Sequence, residues 1–325
     1  MTTRHLVDPE LVPMLDLLPE LPLTSEPLSQ IRAMLNELNT QQRAEQPDFP
    51  NISVSTHFIA GPEGAPEVRV LVYLPRNVAT PLPALLWIHG GGYIVGSADG
   101  ADLQVKTIVD ATGCAAVAVD YRLAPETPHP GPVEDCYAAL KWLYLNAHDF
   151  GVDPARIAIG GDSAGGGLTA ALALLARDRG EVPLVFQLLI YPMLDDRTVT
   201  TADPHPYTGE YVWTARSNRF GWTALLGQEP GGPDISPYAA AARAEHLEGL
   251  PPAFIGVGTL DLFLEEDLEY ARRLIRAGVP TELHVYPGAM HAFPAAANAR
   301  VSQSFTRDYL YALTRVLHAN DANHA

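Results

Sequence analysis

The sequence predicts an α/β fold: a mostly parallel sheet of about eight strands, flanked by helices. Three observations carry this. Short, mostly apolar runs at 84–88, 115–119, 157–159, 186–191, 253–257 and 282–286 alternate with helical stretches, the pattern of strands buried on both faces. Two of these runs end in glycine-rich turns, "HGGG" at 89–92 and "GGDSAGG" at 160–166. Finally, 325 residues with 47% hydrophobic and only 18% charged content suffice for a large core and exclude global disorder.

The elements follow in order. Residues 1–45 read as helical. Within "SEPLSQIRAMLNELNTQQRA", Ser25 is placed to cap a helix, Pro27 falls in its first turn, and Leu28, Ile31, Met34, Leu35 and Leu38 recur at helical spacing. From residue 51 the period changes to two. "NISVSTHFIA" and "EVRVLVYLP", joined through the turn-like "GPEGAP", predict an antiparallel pair ahead of the parallel strands. "VEDCYAALKWLYLNAHDF" and "AGGGLTAALALLARDRG" are helical, and "VSQSFTRDYLYALTRVLH" closes the fold. Residues 195–250 break the rhythm. They hold no clear strand but contain Tyr207, Tyr211, Trp213, Trp222 and Tyr238, as expected of a lid or binding wall.

Bulk properties narrow the function. A net charge of −17 argues against nucleic acid or an anionic membrane as partner. Cys114 and Cys136 lack metal-ligand spacing, and a disulfide between them is not inferable from sequence alone. The N-terminal stretch lacks the basic and apolar regions of a signal peptide, and no apolar run reaches about 18 residues. The expectation is a soluble, cytoplasmic protein.

The chemistry is written in two turns and two loops. Gly161-Asp162-Ser163-Ala164-Gly165 follows a strand and opens a helix. Such a turn holds a serine hydroxyl proud of the sheet, and the flanking glycines let strand and helix approach closely. A serine alcohol needs a base, and the base an orienting carboxylate, in the chain order Ser, acid, His. Asp261 follows the run at 253–257, whereas Glu265, Glu266 and Asp267 fall where a helix begins, a place for dipole partners. His291 lies in the loop after the last strand. His284 is inside that strand, and His89 precedes the serine and is placed to shape the glycine turn. Gly91 and Gly92 then gain a purpose. With the N–H of Ala164, their N–H groups are placed to stabilise a tetrahedral oxyanion, and bare backbone admits the oxygen.

Taken together, "HGGGY", "DYRLAPE", "GDSAGG", "YPMLDD", "DLFLEEDLEYARRL" and "VYPGAMHAF" resemble the bacterial hormone-sensitive lipase family of esterases, with the α/β-hydrolase fold. The resemblance runs from about residue 70 to 295. It implies the triad Ser163, Asp261 and His291, oxyanion donors Gly91, Gly92 and Ala164, and no metal or cofactor. It also implies a catalytic core of residues 46–194 and 251–325 under a discontinuous helical cap of 1–45 and 195–250. Two departures stand out. Ala292 follows the histidine where glycine is common in the family, and "DLF" replaces "DPL" at the acid. "DYRLAPE" (120–126) is expected to be structural, with neither Arg122 nor Glu126 catalytic.

The leading expectation is a serine carboxylesterase for short- to medium-chain acyl esters. Amide hydrolysis, as in an arylformamidase-like relative, uses the same triad. A non-catalytic receptor, as in the plant gibberellin receptors that resemble this family without the triad histidine, is disfavoured by His291. Tyr93, Tyr211 and Trp213 are the candidates for substrate contact. The aromatics of 195–250 either wall the pocket or form the cap's own core. Homo-oligomerisation is left open.

Overall fold

The computed structural model describes residues 2–17 and 28–319. Ser25 and Pro27 lie outside the described residues. The elements are α1 (Val12–Leu17), α2 (Leu28–Glu45), β1 (Ile52–Ile59), β2 (Val68–Pro75), β3 (Leu82–Ile88), α3 (Asp102–Thr112), β4 (Ala115–Asp120), α4 (Gly131–Leu145), β5 (Val152–Asp162), α5 (Ala164–Arg179), β6 (Phe186–Ile190), α6 (Ala215–Leu226), β7 (Ala253–Gly258), α7 (Leu264–Arg276), β8 (Thr281–Tyr286) and α8 (Arg300–Leu317). The eight strands form one sheet in the order β1-β2-β4-β3-β5-β6-β7-β8. β1 with β2 and β2 with β4 run antiparallel, and the other neighbours are parallel.

Alternation along β3 shows how the layers form. Leu86 and Ile88 pack into one core with Leu140 of α4, Leu172 of α5 and Leu274 of α7. Leu85 and Trp87 pack into the other with Ile108 of α3 and Leu313 of α8. Successive side chains of a strand face opposite ways, so the central strands are apolar on both faces, with Gln187 of β6 buried on a hydrogen bond to the Pro251 carbonyl. On α2, Leu28 and Ile31 are buried, while Met34 and Leu38 remain 45% and 43% exposed.

Residues 195–250 contain no strand and only one α-helix, α6. Trp213, Trp222, Ile235 and Leu247 join the same core as α5. Two buried acids brace this segment. Asp196 accepts from Nε and one terminal nitrogen of Arg243 and from the N–H of Gly231. Glu266, on α7, accepts the N–H groups of Leu194 and Asp195 and the Thr198 hydroxyl. The N-terminal residues reach the segment too, since the N–H and hydroxyl of Thr3 both donate to Glu210 at 2.6 Å. Among the described residues no helix is long and apolar enough to cross a membrane.

The start of α5 lies against the end of β3. A Cβ at Gly165 would sit inside the carbonyl oxygens of Ile88 and His89. Both are backbone atoms, at the end of β3 and just after it, and cannot yield cheaply. Gly165→Ala is therefore expected to lower unfolding stability by about 3 kcal/mol, the upper range for overpacking, as read from urea denaturation. An unchanged midpoint would contradict this packing.

Candidate active site

Four of the parallel strands, β3, β5, β7 and β8, send the loops after their carboxyl ends to one place. β5 ends at Asp162, α5 starts at Ala164, and Ser163 between them has φ 55° and ψ −121°. This is strained backbone for a residue with a Cβ. It is held on both sides: the Ser163 N–H donates to Ile190, and its carbonyl accepts from Gly167 and Met193, all at 2.9 Å.

The hydroxyl of Ser163 lies 2.9 Å from His291 Nε2, and His291 Nδ1 lies 2.8 Å from Asp261 Oδ2. All three residues are buried, with 6%, 4% and 0% exposure. An ionised carboxylate only accepts. Nδ1 therefore carries the proton, and Nε2 is free to accept from the serine. The second oxygen of Asp261 accepts the Phe263 N–H at 3.1 Å. The acid and histidine loops are tied together, because Leu260 N–H donates to Ala289 and Gly288 N–H to the Thr259 hydroxyl, each at 2.9 Å. The imidazole is walled edge-on by Tyr191 and Phe263, at centroid distances of 4.9 and 5.2 Å.

The glycine turn after β3 runs through three consecutive left-handed residues, Gly91 (φ 117°), Gly92 (φ 60°) and Tyr93 (φ 68°). Among the described residues the N–H groups of Gly91 and Gly92 have no protein acceptor. Ala164, as the first residue of α5, has no intrahelical acceptor either. The turn is fixed by its neighbours. Gly90 N–H donates to Asp162 Oδ1 at 3.1 Å, and the Tyr121 hydroxyl donates to the His89 carbonyl at 2.9 Å. His89 stacks on Tyr121 and bonds the Gly90 carbonyl at 2.7 Å, while burial keeps its imidazole neutral. That is the shaping part read for His89 from the sequence.

The aromatic candidates divide. Trp213, 7% exposed, lies against Gly92 with its ring 6.4 Å from that of His291, and its indole N–H donates to Asn218 at 3.0 Å. Tyr93 points inward. It is fully buried, packs on Trp222 and donates its hydroxyl to the Met193 carbonyl at 3.0 Å. Tyr211 is half-buried, and its carbonyl accepts the Trp213 N–H at 2.7 Å. Arg122 grips the buried carboxylate of Asp135 through Nε and one terminal nitrogen, in keeping with a structural "DYRLAPE". Ala292 adopts φ 57°, where glycine would be unstrained.

Sequence reasoning missed three contributors. Asp162 reaches the glycine turn; its place beside the serine in "GDS" was the available signal. Glu266 is a clamp on residues 194–198 rather than a helix-dipole partner. Asp267 is buried with no donor to either oxygen among the described residues, and burial pushes its carboxyl well above the usual carboxylate range; nothing in the structure explains its choice.

Residues 85–295 match the family described as the alpha/beta hydrolase fold. The chain is 37% identical over 326 residues to the carboxylesterase NlhH of Mycobacterium tuberculosis, covering 96% of this chain and 97% of that relative. Among solved structures, a bacterial heroin esterase superposes with a TM-score of 0.92 at 41% identity, covering 97% of this chain and 99% of the other. Esterase LipW of Mycobacterium marinum superposes with a TM-score of 0.86 at 32% identity, covering 97% of each chain.

Burial raises the Asp162 carboxyl from 3.8 to about 6, against the opposing pull of the Gly90 N–H and His291. Its folded value thus exceeds its unfolded one. The folded state holds this proton more tightly, and the stability it confers below about pH 4 is lost as pH rises through 4–6. Such a shift is worth up to ~3 kcal/mol. Asp162→Asn keeps an acceptor for Gly90 without ionising. Between pH 4 and 7 its unfolding free energy is expected to gain on the wild type by up to that amount. A pH-independent difference would contradict the assigned burial.

Proposed function

This chain belongs to the alpha/beta hydrolase fold family, in its hormone-sensitive lipase branch, and is a carboxylic ester hydrolase; from there we propose that Ser163, His291 and Asp261 are its catalytic triad. The observation that carries the reading is the buried, unbroken relay from serine hydroxyl through imidazole to carboxylate, at 2.9 and 2.8 Å.

In this reading Ser163 Oγ attacks the ester carbonyl while His291 Nε2 takes its proton. The carbonyl oxygen becomes an oxyanion facing the N–H groups of Gly91, Gly92 and Ala164, each such donor being worth about 3 kcal/mol in the transition state. Asp261 fixes the tautomer and stabilises the imidazolium. His291 then protonates the departing alcohol. Water attacks the acyl-enzyme by the same steps in reverse and releases the acid and a free serine.

The substrates we propose are small, short- to medium-chain acyl esters, met in the cytoplasm without a membrane or nucleic-acid partner. Trp213 against Gly92 and His291 supports a confined acyl site. Residues 195–250, with the N-terminal helices, are proposed as the cap that encloses it.

Ser163→Ala is expected to reduce hydrolysis of p-nitrophenyl butyrate by at least about 10⁴-fold. Substantial residual turnover would reject the mechanism. Across a chain-length series of p-nitrophenyl esters, Trp213→Ala is expected to move the optimum toward longer acyl chains. An unshifted optimum would remove Trp213 from the acyl wall. Faster turnover of a matched amide than of its ester would replace the esterase reading with an amidase.

A further inference from the structure

Arg32 lies on α2, far in sequence from every group in the relay. Its Nε donates to the Ile94 carbonyl at 2.7 Å. One terminal nitrogen donates to the Ala124 carbonyl at 2.7 Å, and both terminal nitrogens hold the Glu126 carboxylate at 2.8 and 2.9 Å. The two backbone acceptors belong to the framework of the glycine turn. Ile94 N–H closes that turn on the Gly91 carbonyl at 3.1 Å, and Ala124 N–H donates to the Tyr93 carbonyl at 2.9 Å. Arg32 therefore holds the peptide after Ile94 and the loop segment at Ala124 that holds the Tyr93 carbonyl, both at the C-terminal end of the left-handed run Gly91–Gly92–Tyr93.

Such a run persists only when its surroundings over-determine it. Most of the restraints come from the core: Asp162 on Gly90, Tyr121 on His89, and Met193 on the Tyr93 hydroxyl. Arg32 brings one from the N-terminal segment. The helix that carries it rests on the body through a narrow apolar seam, Leu28 and Ile31 with Leu35 partly packed. A planar guanidinium that fits two carbonyls and a carboxylate at once is a fixed fork, suited to transmitting the position of a lightly seated helix to the backbone beneath it.

We propose that Arg32 is a positioning residue for the oxyanion site, coupling the seating of α2 to the aim of the Gly91 and Gly92 N–H groups. This rests on the assignment of those groups as oxyanion donors. Arg32 touches neither substrate nor reacting atoms. Its loss lets the turn relax, and transition-state stabilisation falls while ground-state binding stays.

The test is Arg32→Ala beside Glu126→Gln, with a p-nitrophenyl phosphonate to count competent serines and a trifluoromethyl ketone as a tetrahedral-adduct probe. For Arg32→Ala, kcat per titrated site is expected to fall roughly 10- to 100-fold with KM within about two-fold. Affinity for the ketone should weaken by the same factor as kcat/KM, and millimolar guanidinium should restore part of the rate. Glu126→Gln keeps both carbonyl contacts and is expected to lose less than about two-fold, since Glu126 is largely exposed. Unchanged kcat per titrated site, a loss confined to KM, or a loss accounted for by fewer titratable serines would overturn the proposal. So would an equal loss in both variants. Failure of the wild type to bind the ketone would instead overturn the oxyanion assignment, and this proposal with it.

Discussion

Ser163 is held at φ 55°, ψ −121°, a conformation that costs an ordinary residue about 1–3 kcal/mol, and the architecture is arranged around keeping it there. The hydroxyl can stand clear of the sheet only if β5 turns into α5 within one residue. That turn needs α5 close to β3, and the closeness is why Gly161 and Gly165 have no room for a Cβ. The rest of α5 obeys the same restriction: it is buried from Ala164 to Ala176 and rich in glycine and alanine. Parallel strands then do the remaining work. Loops that leave β3, β5, β7 and β8 at the same sheet edge bring together groups 128 and 30 residues apart in sequence, as ligand sites of open α/β sheets do.

Carboxylates serve this arrangement well beyond the acid of the relay. In a chain of 38 acidic and 21 basic residues, most acids decorate the surface, but several are sunk into it as anchors. Asp196 ties Arg243 and Gly231, Asp135 ties Arg122, Asp162 ties Gly90, and Glu266 ties the backbone at 194–195. Asp196 ties one part of the 195–250 segment to another, while Asp135, Asp162 and Glu266 each join a loop to a strand or helix. A buried acceptor satisfied by backbone N–H groups is expensive to remove, so these contacts set loop geometry more firmly than exposed ion pairs could. Asp267 is the exception, a buried acid without a donor among the described residues.

The strands, most helices and the relay were legible because each rests on a local rule. Period-two and continuous apolar runs mark strands whatever their partners, and Ser163, Asp261 and His291 each follow a recognisable run. Other features were hidden because they depend on distant partners. The first-turn acids after Asp261 looked alike in sequence, yet only the fold decides that Glu265 is exposed, Glu266 clamps and Asp267 is buried. Tyr93 stood among the candidates for substrate contact, but from its left-handed backbone the ring lies fully buried in the core. The aromatics of 195–250 could not be sorted from spacing. Trp222 faces Tyr93 in the core while Trp213 lies over Gly92, a distinction made by α6 rather than by either residue.

The central claim is that four loops converge on one tetrahedral centre. It is tested most directly by the crystal structure of the protein inactivated with a butyl phosphonate p-nitrophenyl ester. The account predicts phosphorus bonded to Ser163 Oγ, with its free oxygen about 2.7–3.1 Å from the N–H groups of Gly91, Gly92 and Ala164. An adduct on another residue, or a phosphonyl oxygen turned away from those three groups, would contradict it.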